Sequence, residues 1–215
     1  MQVHKLVLGE MLVNTYIMHP KDSKEAVVID PGSEDVSLIM DYIRENELNV
    51  KYILLTHGHF DHILGIDALR KEIDAPVCVH SADKDMLTSA ELNLSPYMGF
   101  NYSYQPADQI LEDGQIIEFG GAKFEVLHTP GHSPGGVCFY CAETETLVTG
   151  DTLFHGSVGR TDLAGGDRDV LMQSFRKKIW DLPHDMNVYP GHGHETTLFR
   201  ERIRNPHLRK FLRQG

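Results

Sequence analysis

Four side chains of types that commonly bind metal ions lie within six consecutive residues of this sequence. They are His57, His59, Asp61 and His62, in the stretch THGHFDH. Imidazole and carboxylate groups are typical ligands of Zn²⁺, Mn²⁺ and Fe²⁺, whereas Ca²⁺ sites are built from oxygen ligands. Without a metal ion, crowding these groups would bring repulsion whenever the histidines are protonated. The stretch therefore predicts a site for a divalent metal ion.

Further potential ligands follow other apolar runs of the chain. His132 follows EVLHTPG, Asp151 follows LVTG, His192 follows VYPG, and Asp30 directly follows VVI. Loops that follow strands of an α/β fold collect at one edge and build the functional site. One ion with an open position needs about three protein ligands, so this set suffices for two ions. An aspartate shared between two ions would hold them roughly 3.5–4 Å apart.

The apolar pattern indicates the elements that must position these residues. Strands are predicted at HKLVLG, NTYIMH, EAVVID, VKYILLT, APVCVH, QIIEFG, KFEVLHT, GGVCFYC, TLVTGD and NVYPG. Helices are predicted at SEDVSLIMDYIRENEL, HILGIDALRKEI, DRDVLMQSFRKKIWDL and HETTLFRERIRN, and within SADKDMLTSAEL. Ser33 is the expected N-cap of the first helix. Strand–strand–helix groups in both halves favour a layered α/β protein, with two sheets inside and helices outside, and a single domain over residues 1–215.

The basic C-terminal stretch FRERIRNPHLRKFLRQG is predicted to be an amphipathic helix. Leu198, Ile203, Leu208 and Phe211 are expected to face the interior. Cys138 and Cys141 form a C-x-x-C, but they lie in a predicted strand, where positions three apart face opposite sides. We therefore expect ordinary packing at these cysteines.

Composition narrows the possible partners and the cellular compartment. The formal net charge is −11, which disfavours nucleic acid or an anionic membrane as a general partner. Three cysteines do not suit a disulfide framework. The N-terminus shows no signal-peptide pattern, and no apolar run approaches the ~20 residues of a membrane span. A cytoplasmic protein that acts on a small molecule is the expectation.

Four motifs resemble, in type and order, those of the metallo-β-lactamase-fold hydrolases. They are THGHFDH, TPGHSPGG, GDTLFHGSVGRTDLAGGD and YPGHGHET. The run GSVGRTDLAGGD and the ending ETTLFRERIRNP are especially similar to the short glyoxalase II-like branch, whose members resemble hydroxyacylglutathione hydrolases. The resemblance spans essentially the whole chain. It implies a four-layer αββα sandwich with two internal mixed sheets and a dinuclear site at one edge.

The resemblance also implies a role for each candidate ligand. His57, His59 and His132 would hold the first ion. Asp61, His62 and His192 would hold the second, and Asp151 would bridge the two. Asp61 and Asp151 are then the carboxylates expected to take part in catalysis, and Asp30 would orient a ligand by a hydrogen bond. His194 replaces the proline that is usual in this branch, and we expect it to have a surface role.

The implied reaction is hydrolysis by a metal-bridging hydroxide. Two divalent ions, zinc first with iron or manganese as alternatives, would lower the pKa of bridging water toward ~7. A thiolate, with a pKa near ~8.5, can leave without a strong general acid, and the sequence offers no such acid near the ligands. A thioester, such as S-lactoylglutathione, or a related activated ester therefore fits better than an amide. Arg160 could pair with a substrate carboxylate, or with Asp162 or Asp167.

Four alternatives remain at this stage. The first is a mononuclear iron persulfide dioxygenase, a group that shares the fold and the G-R-T-D run and would use His57, His132 and Asp151. The second is a true β-lactamase, which would need export and whose best-known subclass has Cys in place of Asp151. The third is a nuclease, but such enzymes carry an inserted domain and a basic face. The fourth is a non-catalytic module that keeps its metal ions for stability.

Overall fold

Two six-stranded sheets pack face to face in the computed structural model, which describes residues 1–209. Helices cover the outer face of each sheet. The predicted four-layer αββα sandwich is therefore confirmed. Each predicted strand exists, although its ends differ by a residue or two from the quoted runs.

The first sheet comes from the N-terminal half and is mixed. Its strands, in spatial order, are β1 (Gln2–Leu8), β2 (Val13–His19), β3 (Glu25–Ile29), β4 (Asn49–Leu54), β5 (Val77–His80) and β6 (Gln109–Leu111). The pairs β1–β2 and β2–β3 are antiparallel, and the pairs from β3 to β6 are parallel. The parallel strands β3, β4 and β5 are the ones that lead into polar loops.

The second sheet comes from the C-terminal half. It contains β7 (Ile116–Phe119), β8 (Ala122–His128), β9 (Val137–Cys141), β10 (Thr146–Gly150), β13 (Asn187–Pro190) and β14 (Thr196–Thr197), in the spatial order β14-β13-β10-β9-β8-β7. All of its pairs are antiparallel except β10–β13. A small hairpin of β11 (Leu153–Phe154) and β12 (Ser157–Val158) lies between β10 and β13 in the sequence. The apolar pattern did not predict this hairpin.

Three apolar layers hold the sandwich together. The central layer lies between the sheets and includes Tyr16 and Ile29 from the first and Phe124 and Phe139 from the second. The two outer layers lie beneath the helices on either side. Because successive strand residues face opposite sides, Cys138 lies in the outer layer and Cys141 in the central one. Both are buried and free, as expected from ordinary packing.

The helices are shorter than the sequence pattern predicts. They are α1 (Ser37–Glu45), α2 (Phe60–Ile63), α3 (Ile66–Glu72), α4 (Ala90–Asn93), α5 (Arg168–Ser174) and α6 (Leu198–Arg204). The run HILGIDALRKEI is divided into α2 and α3 instead of forming one helix. The run SADKDMLTSAEL forms a 3₁₀ turn at Ser81–Met86 and then the single turn α4. α5 continues into a π-helical turn at Phe175–Ile179.

Two expectations for the helix ends are wrong. Ser33 is not an N-cap, because α1 begins at Ser37 after Val36 and the Ser33 hydroxyl instead accepts the backbone N–H of Asp35 at 3.1 Å. Ile203 does not face the interior: it is 48% exposed, while Leu198 and Leu208 are buried. α6 ends at Arg204, so these positions do not belong to one continuous helix. Phe211 lies outside the described residues.

Within the described range 1–209, no helix has the length and apolar character that a membrane crossing requires.

Candidate metal centre

The candidate ligands lie at one edge of the sandwich because the strands that precede them end there. Leu55 to His59 follow β4, and the short helix α2 carries Asp61 and His62. His132 lies in the loop after β8, Asp151 follows β10, and His192 follows β13. Both sheets therefore deliver side chains to one place, although the residues are far apart in sequence.

Three groups of ligand-type side chains form where these loops meet. One group is His57, His59 and His132, another is Asp61, His62 and His192, and the third is His57, His62 and Asp151. Within each group the potential ligand atoms lie within 4.8 Å of one another. The seven residues predicted to bind metal are thus all brought together. We refer to the first as the histidine group and to the second as the mixed group.

Asp151 lies between the two groups. Its Oδ2 atom is 3.4 Å from His132 Nε2 in the histidine group and 3.7 Å from His192 Nε2 in the mixed group. Its Oδ1 atom is 3.5 Å from His62 Nε2. The carboxylate thus contacts both groups, with Oδ2 near a histidine of each, and this placement suits a bridging ligand.

Hydrogen bonds outside the cluster fix the tautomers of three histidines. His132 Nδ1 lies 2.8 Å from the carbonyl oxygen of Arg160, which can only accept, so this nitrogen carries the proton. His62 Nδ1 lies 2.9 Å from Asp30 Oδ2, and His57 Nδ1 lies 3.1 Å from Thr56 Oγ1. In each ring the other nitrogen, Nε2, then faces the cluster. Whenever Nε2 carries no proton, its lone pair is available to a cation.

Pairs of these nitrogens approach one another inside the cluster. His132 Nε2 is 3.0 Å from His59 Nδ1, and His62 Nε2 is 3.2 Å from His192 Nε2. Two bare lone pairs would repel at this distance, so each pair shares a proton in the metal-free chain, and a cation could take the place of that proton. Within residues 1–209, three buried atoms of the cluster have no hydrogen-bond partner: His57 Nε2, His59 Nε2 and Asp151 Oδ1. The donor set therefore fits two divalent cations.

The two groups differ in their electrostatic environments. Burial, together with the positive charge that His62 can carry, holds the pKa of His57 well below its usual range. Burial and the neighbouring His132 lower the pKa of His59 to about 3. These rings therefore remain neutral at pH 7 and keep lone pairs free for a metal ion.

The mixed group contains negative charge and attracts protons. Burial acts to lower the pKa of His62, but the carboxylates of Asp61, Asp151 and Asp30 outweigh it and raise that pKa to about 10. The pKa of His192 is also raised, because contact with Asp61 and the charge of Asp151 outweigh burial. Conversely, His62 and His192 outweigh burial and lower the pKa of Asp61. In the metal-free chain, this group favours a bound positive charge.

Asp30 contacts the mixed group through one of its histidines. Its Oδ1 accepts the backbone N–H of Thr56 at 2.7 Å, and its Oδ2 accepts the Thr56 hydroxyl at 2.6 Å and lies beside His62 Nδ1. Asp30 thus orients both the start of the ligand loop and a ring of the cluster. Its backbone has φ of +50°, a conformation that aspartate and asparagine tolerate better than most residues.

Sequence reasoning missed a second buried aspartate, Asp83. Its Oδ2 accepts the Gly58 N–H at 3.0 Å and the Ser133 hydroxyl at 2.7 Å, and its Oδ1 accepts the Gly135 N–H at 2.5 Å. Burial raises the pKa of this carboxyl, although these three hydrogen bonds oppose that effect. Asp83 therefore ties the loop of His57 and His59 to the loop of His132. Its only sequence signal is a position soon after β5, and surface acids share that signal.

The loop of His192 is held close to the cluster by a glycine and by Asn14. A Cβ atom on Gly191 would lie 2.4 Å from Asp151 Oδ1 and 2.7 Å from a carbon of the His62 ring, so no larger residue fits. Asn14 Nδ2 donates to the carbonyls of Pro190 and Gly193, at 2.8 and 3.0 Å. These contacts bring β2 and the loop after β13 together.

The remaining sequence candidates lie at the margin of the cluster. His194 is exposed, and its ring packs edge-on against His155, so its surface placement matches the expectation. Arg160 donates through Nε and Nη2 to the two carboxylate oxygens of Asp162, at 2.8 and 2.9 Å. Asp167 is not its partner and instead caps α5. None of the other histidines in the described part belongs to the three ligand groups: His4, His19, His80, His128, His155, His184 and His207.

A cleft of about 640 Å³ opens directly onto the cluster. Its floor includes His59, Asp61, His132, Asp151 and His192. The remaining lining comes from Phe60, from the loop after β1, from residues 94–98 and from residues 154–163. A small substrate can therefore reach both ligand groups at once.

Comparison with known proteins places this arrangement in a family context. A profile of the Metallo-beta-lactamase superfamily matches residues 8–192. Probable metallo-hydrolase YqgX of Bacillus subtilis is 38% identical over 98% of this chain and 99% of its own length. Hydroxyacylglutathione hydrolase GloC of Haemophilus influenzae is 38% identical over 87% of this chain and 89% of its own.

Three solved structures are informative neighbours. BLEG-1, described as a B3 metallo-beta-lactamase, is 39% identical with a TM-score of 0.91, over 96% of this chain and 99% of its own. TTHA1623, solved in a di-iron-bound form, is 38% identical with a TM-score of 0.83, over 95% and 99%. ETHE1 from Myxococcus xanthus is 26% identical with a TM-score of 0.77, over 100% and 91%.

Proposed function

This chain belongs to the metallo-beta-lactamase superfamily, and we propose that it is a dinuclear metal-dependent hydrolase of thioesters or related activated esters. The observation that carries the proposal is the pair of ligand groups that share Asp151. His57, His59 and His132 would hold one ion, and Asp61, His62 and His192 would hold the other. A neighbour at 38% identity, TTHA1623, was solved with two iron ions, which supports the count of two.

The chain's own residues prepare the site for this reaction. Two divalent ions, once bound, would supply hydroxide at neutral pH and would polarise the carbonyl group of a substrate. The Arg160 carbonyl and the Asp30 carboxylate hold the His132 and His62 rings with Nε2 directed inward. Asp61 and Asp151 contribute the negative charge that retains cations at the cluster.

The lining of the cleft favours a leaving group that departs as an anion. Among the described lining residues, the only histidine or carboxyl side chain outside the cluster is Asp162, which is bound to Arg160. An amine leaving group needs a proton from a general acid, whereas a thiolate has a pKa near ~8.5 and does not. A thioester therefore suits these residues better than an amide. The name of the GloC relative supports the same bond type.

A metal count combined with two assays tests the proposal. We expect two metal ions per chain and hydrolysis of at least one thioester from a panel that includes S-lactoylglutathione, with zinc, iron and manganese compared as the reconstituting metal. A chromogenic cephalosporin should be turned over poorly or not at all. It belongs in the experiment because BLEG-1 is described as a beta-lactamase.

The similarity to ETHE1 supports one alternative, a mononuclear iron persulfide dioxygenase. His57, His132 and Asp151 would then be the iron ligands, and Asp61 and His192 would have no metal to bind. One iron per chain, with oxygen uptake that depends on glutathione persulfide and no thioester hydrolysis, would reject the hydrolase. Two metals with hydrolysis and no oxygen uptake would reject the dioxygenase.

A further inference from the structure

One wall of the cleft is built from large apolar side chains that solvent reaches. Met11 is 41% exposed, Tyr97 is 75% exposed and Met98 is 48% exposed. Phe60 and Leu94 complete this wall. Contiguous exposed apolar groups on a protein surface usually mark a binding site. This apolar wall adjoins the ligand cluster directly. A part of the substrate that packs against the wall would therefore be attached to the bond that reacts.

The opposite wall presents no uncompensated positive charge. It contains Phe154, Val158 and Leu163, together with Arg160 and Asp162. Arg160 is the only lysine or arginine among the described lining residues, and its guanidinium already faces both carboxylate oxygens of Asp162. Recognition of a substrate carboxylate needs a free donor of this kind. An anionic substrate would therefore have to compete with Asp162 for this guanidinium.

A neighbouring cavity of about 460 Å³ shares Met11 and Met98 with the cleft. The lining of this cavity includes Glu10, Glu34 and Asp35. In the described part of the chain, none of these three carboxylates forms an ion pair. Their charge adds to a chain that is already at −11, so the approach to the cleft is repulsive for anions.

We propose that the cleft selects thioesters that have an apolar acyl group and no net negative charge, an assignment that depends on the hydrolase function proposed above. The acyl chain packs against Met11, Tyr97 and Met98, with its carbonyl directed to the cluster. The thiol carrier is neutral or small. Glutathione, with two carboxylates and one ammonium group, matches neither the paired arginine nor the acidic approach.

A matched series of thioesters measures this selectivity. The substrates are S-acetyl- and S-hexanoyl-N-acetylcysteamine, which are neutral, and S-hexanoylglutathione, which is anionic. Each methylene buried against the wall is worth roughly a factor of 4, and partial burial of the longer chain gives about 10-fold or more in kcat/KM. We expect hexanoyl to exceed acetyl by that ratio, and the neutral hexanoyl thioester to exceed the glutathione thioester.

Two variants identify the residues responsible for this preference. Met98→Ala should reduce the hexanoyl-to-acetyl ratio of kcat/KM by about 3-fold or more, since it removes part of the wall. Ile203→Ala is the matched control, because Ile203 is as exposed as Met98 and lines a different cavity. It should leave the ratio unchanged. Asp162→Asn should free Arg160 and raise kcat/KM for S-hexanoylglutathione relative to the neutral thioester.

The outcomes separate this assignment from the proposed function. Hydrolysis of the glutathione thioester at a kcat/KM about 10-fold above the neutral one would overturn the assignment and leave the hydrolase intact. A hexanoyl-to-acetyl ratio near one, or an equal loss of that ratio in Met98→Ala and Ile203→Ala, would also overturn it. Failure of the two-metal protein to hydrolyse any of the thioesters would overturn both.

Discussion

The histidine group and the mixed group lie side by side and yet differ in charge. The histidine group contains neutral rings, with the pKa of His57 and His59 lowered. The mixed group contains carboxylates, and the pKa of His62 is raised to about 10. One side is therefore ready to bind a cation without losing a proton, while the other has to exchange a proton for it. Cations at the two groups should therefore bind with different pH dependence, even though Asp151 contacts both groups.

Each group is also secured by its own buried aspartate, and the two aspartates work differently. Asp30 contacts a ring of the mixed group directly, through His62 Nδ1. Asp83 contacts no ring, and instead accepts hydrogen bonds from Gly58, Ser133 and Gly135, in the loops that carry the histidine group. The orientation of the His62 ring thus depends on a side-chain contact with Asp30. The spacing of the histidine group depends instead on two loops that Asp83 holds together.

Replacing Asp151 should impair both groups, because its carboxylate contacts both. We expect Asp151→Ala to lose bound metal and to reduce thioester hydrolysis by roughly 10³-fold or more. His194→Ala is the matched control, since His194 is exposed and outside the ligand groups. Metal content by mass spectrometry and initial rates provide the measurement. Equal metal loss in both variants would contradict the choice of His192 as a ligand.

Asp30→Asn should weaken the mixed group more than the histidine group, because Asp30 contacts the His62 ring directly. Asparagine keeps the shape and tolerates φ of +50°, but its amide cannot accept all three hydrogen bonds. Loss of a partner that orients a ligand typically costs about 10–100-fold in metal affinity. A metal titration should then show that one ion is weakened clearly more than the other. Asp22→Asn, at an exposed position, is the control, and an equal loss of both ions would show that Asp30 supports the whole edge.

Asp83→Asn should have the complementary effect on the histidine group. We expect the metal affinity of the histidine group to fall about 10-fold, because the loops would lose one of the acceptors that hold them together. The exposed neighbour Asp85 provides the matched variant Asp85→Asn. Thermal unfolding of the metal-free variants separates a general loss of stability from a loss at the site. If the metal affinity of the mixed group falls more than that of the histidine group, Asp83 does not act through these loops.

The two groups should also differ in the pH dependence of metal binding. Because the pKa of His62 is raised to about 10, its ring carries a proton at pH 7 that a cation must displace. Affinity at the mixed group should then rise by about 10-fold per pH unit between pH 7 and 9. Affinity at the histidine group should stay nearly constant, since His59 titrates far below this range. Calorimetry in two buffers of different ionisation enthalpy measures the protons released, and equal release at both steps would contradict the comparison.

Sequence reasoning identified the fold and the set of candidate ligands because both depend on local pattern. Alternating or continuous apolar runs indicate strands, and polar residues just past each strand indicate the site edge. The prediction of one helix at HILGIDALRKEI is wrong because of a tertiary contact. A Cβ atom on Gly65 would meet the Ser33 carbonyl at 2.6 Å, so the chain divides there and packs against residues 31–33. The apolar periodicity of the sequence gives no sign of this contact between Gly65 and Ser33.

Asp83 shows the same limit at the site. An aspartate followed by KDM in a polar run is typical of a surface turn, yet this side chain is fully buried. Its partners are Gly58, 25 residues before it, and Ser133 and Gly135, at least 50 residues after it. Residues of ligand type can be recognised in the sequence. The side chains that hold the ligand loops together can be recognised only in the structure, where segments distant in sequence come into contact.

The three buried cysteines lie in layers that can be probed separately. Cys78 and Cys141 contribute to the central layer, one from each sheet, and Cys138 lies beneath the outer helices of the second sheet. A thiol reagent reaches a buried sulfur only after the protein opens locally or globally. Faster labelling of Cys138 would report detachment of the helices, and simultaneous labelling of Cys78 and Cys141 would report separation of the sheets. The native chain thus carries its own reporters of the order in which its layers come apart.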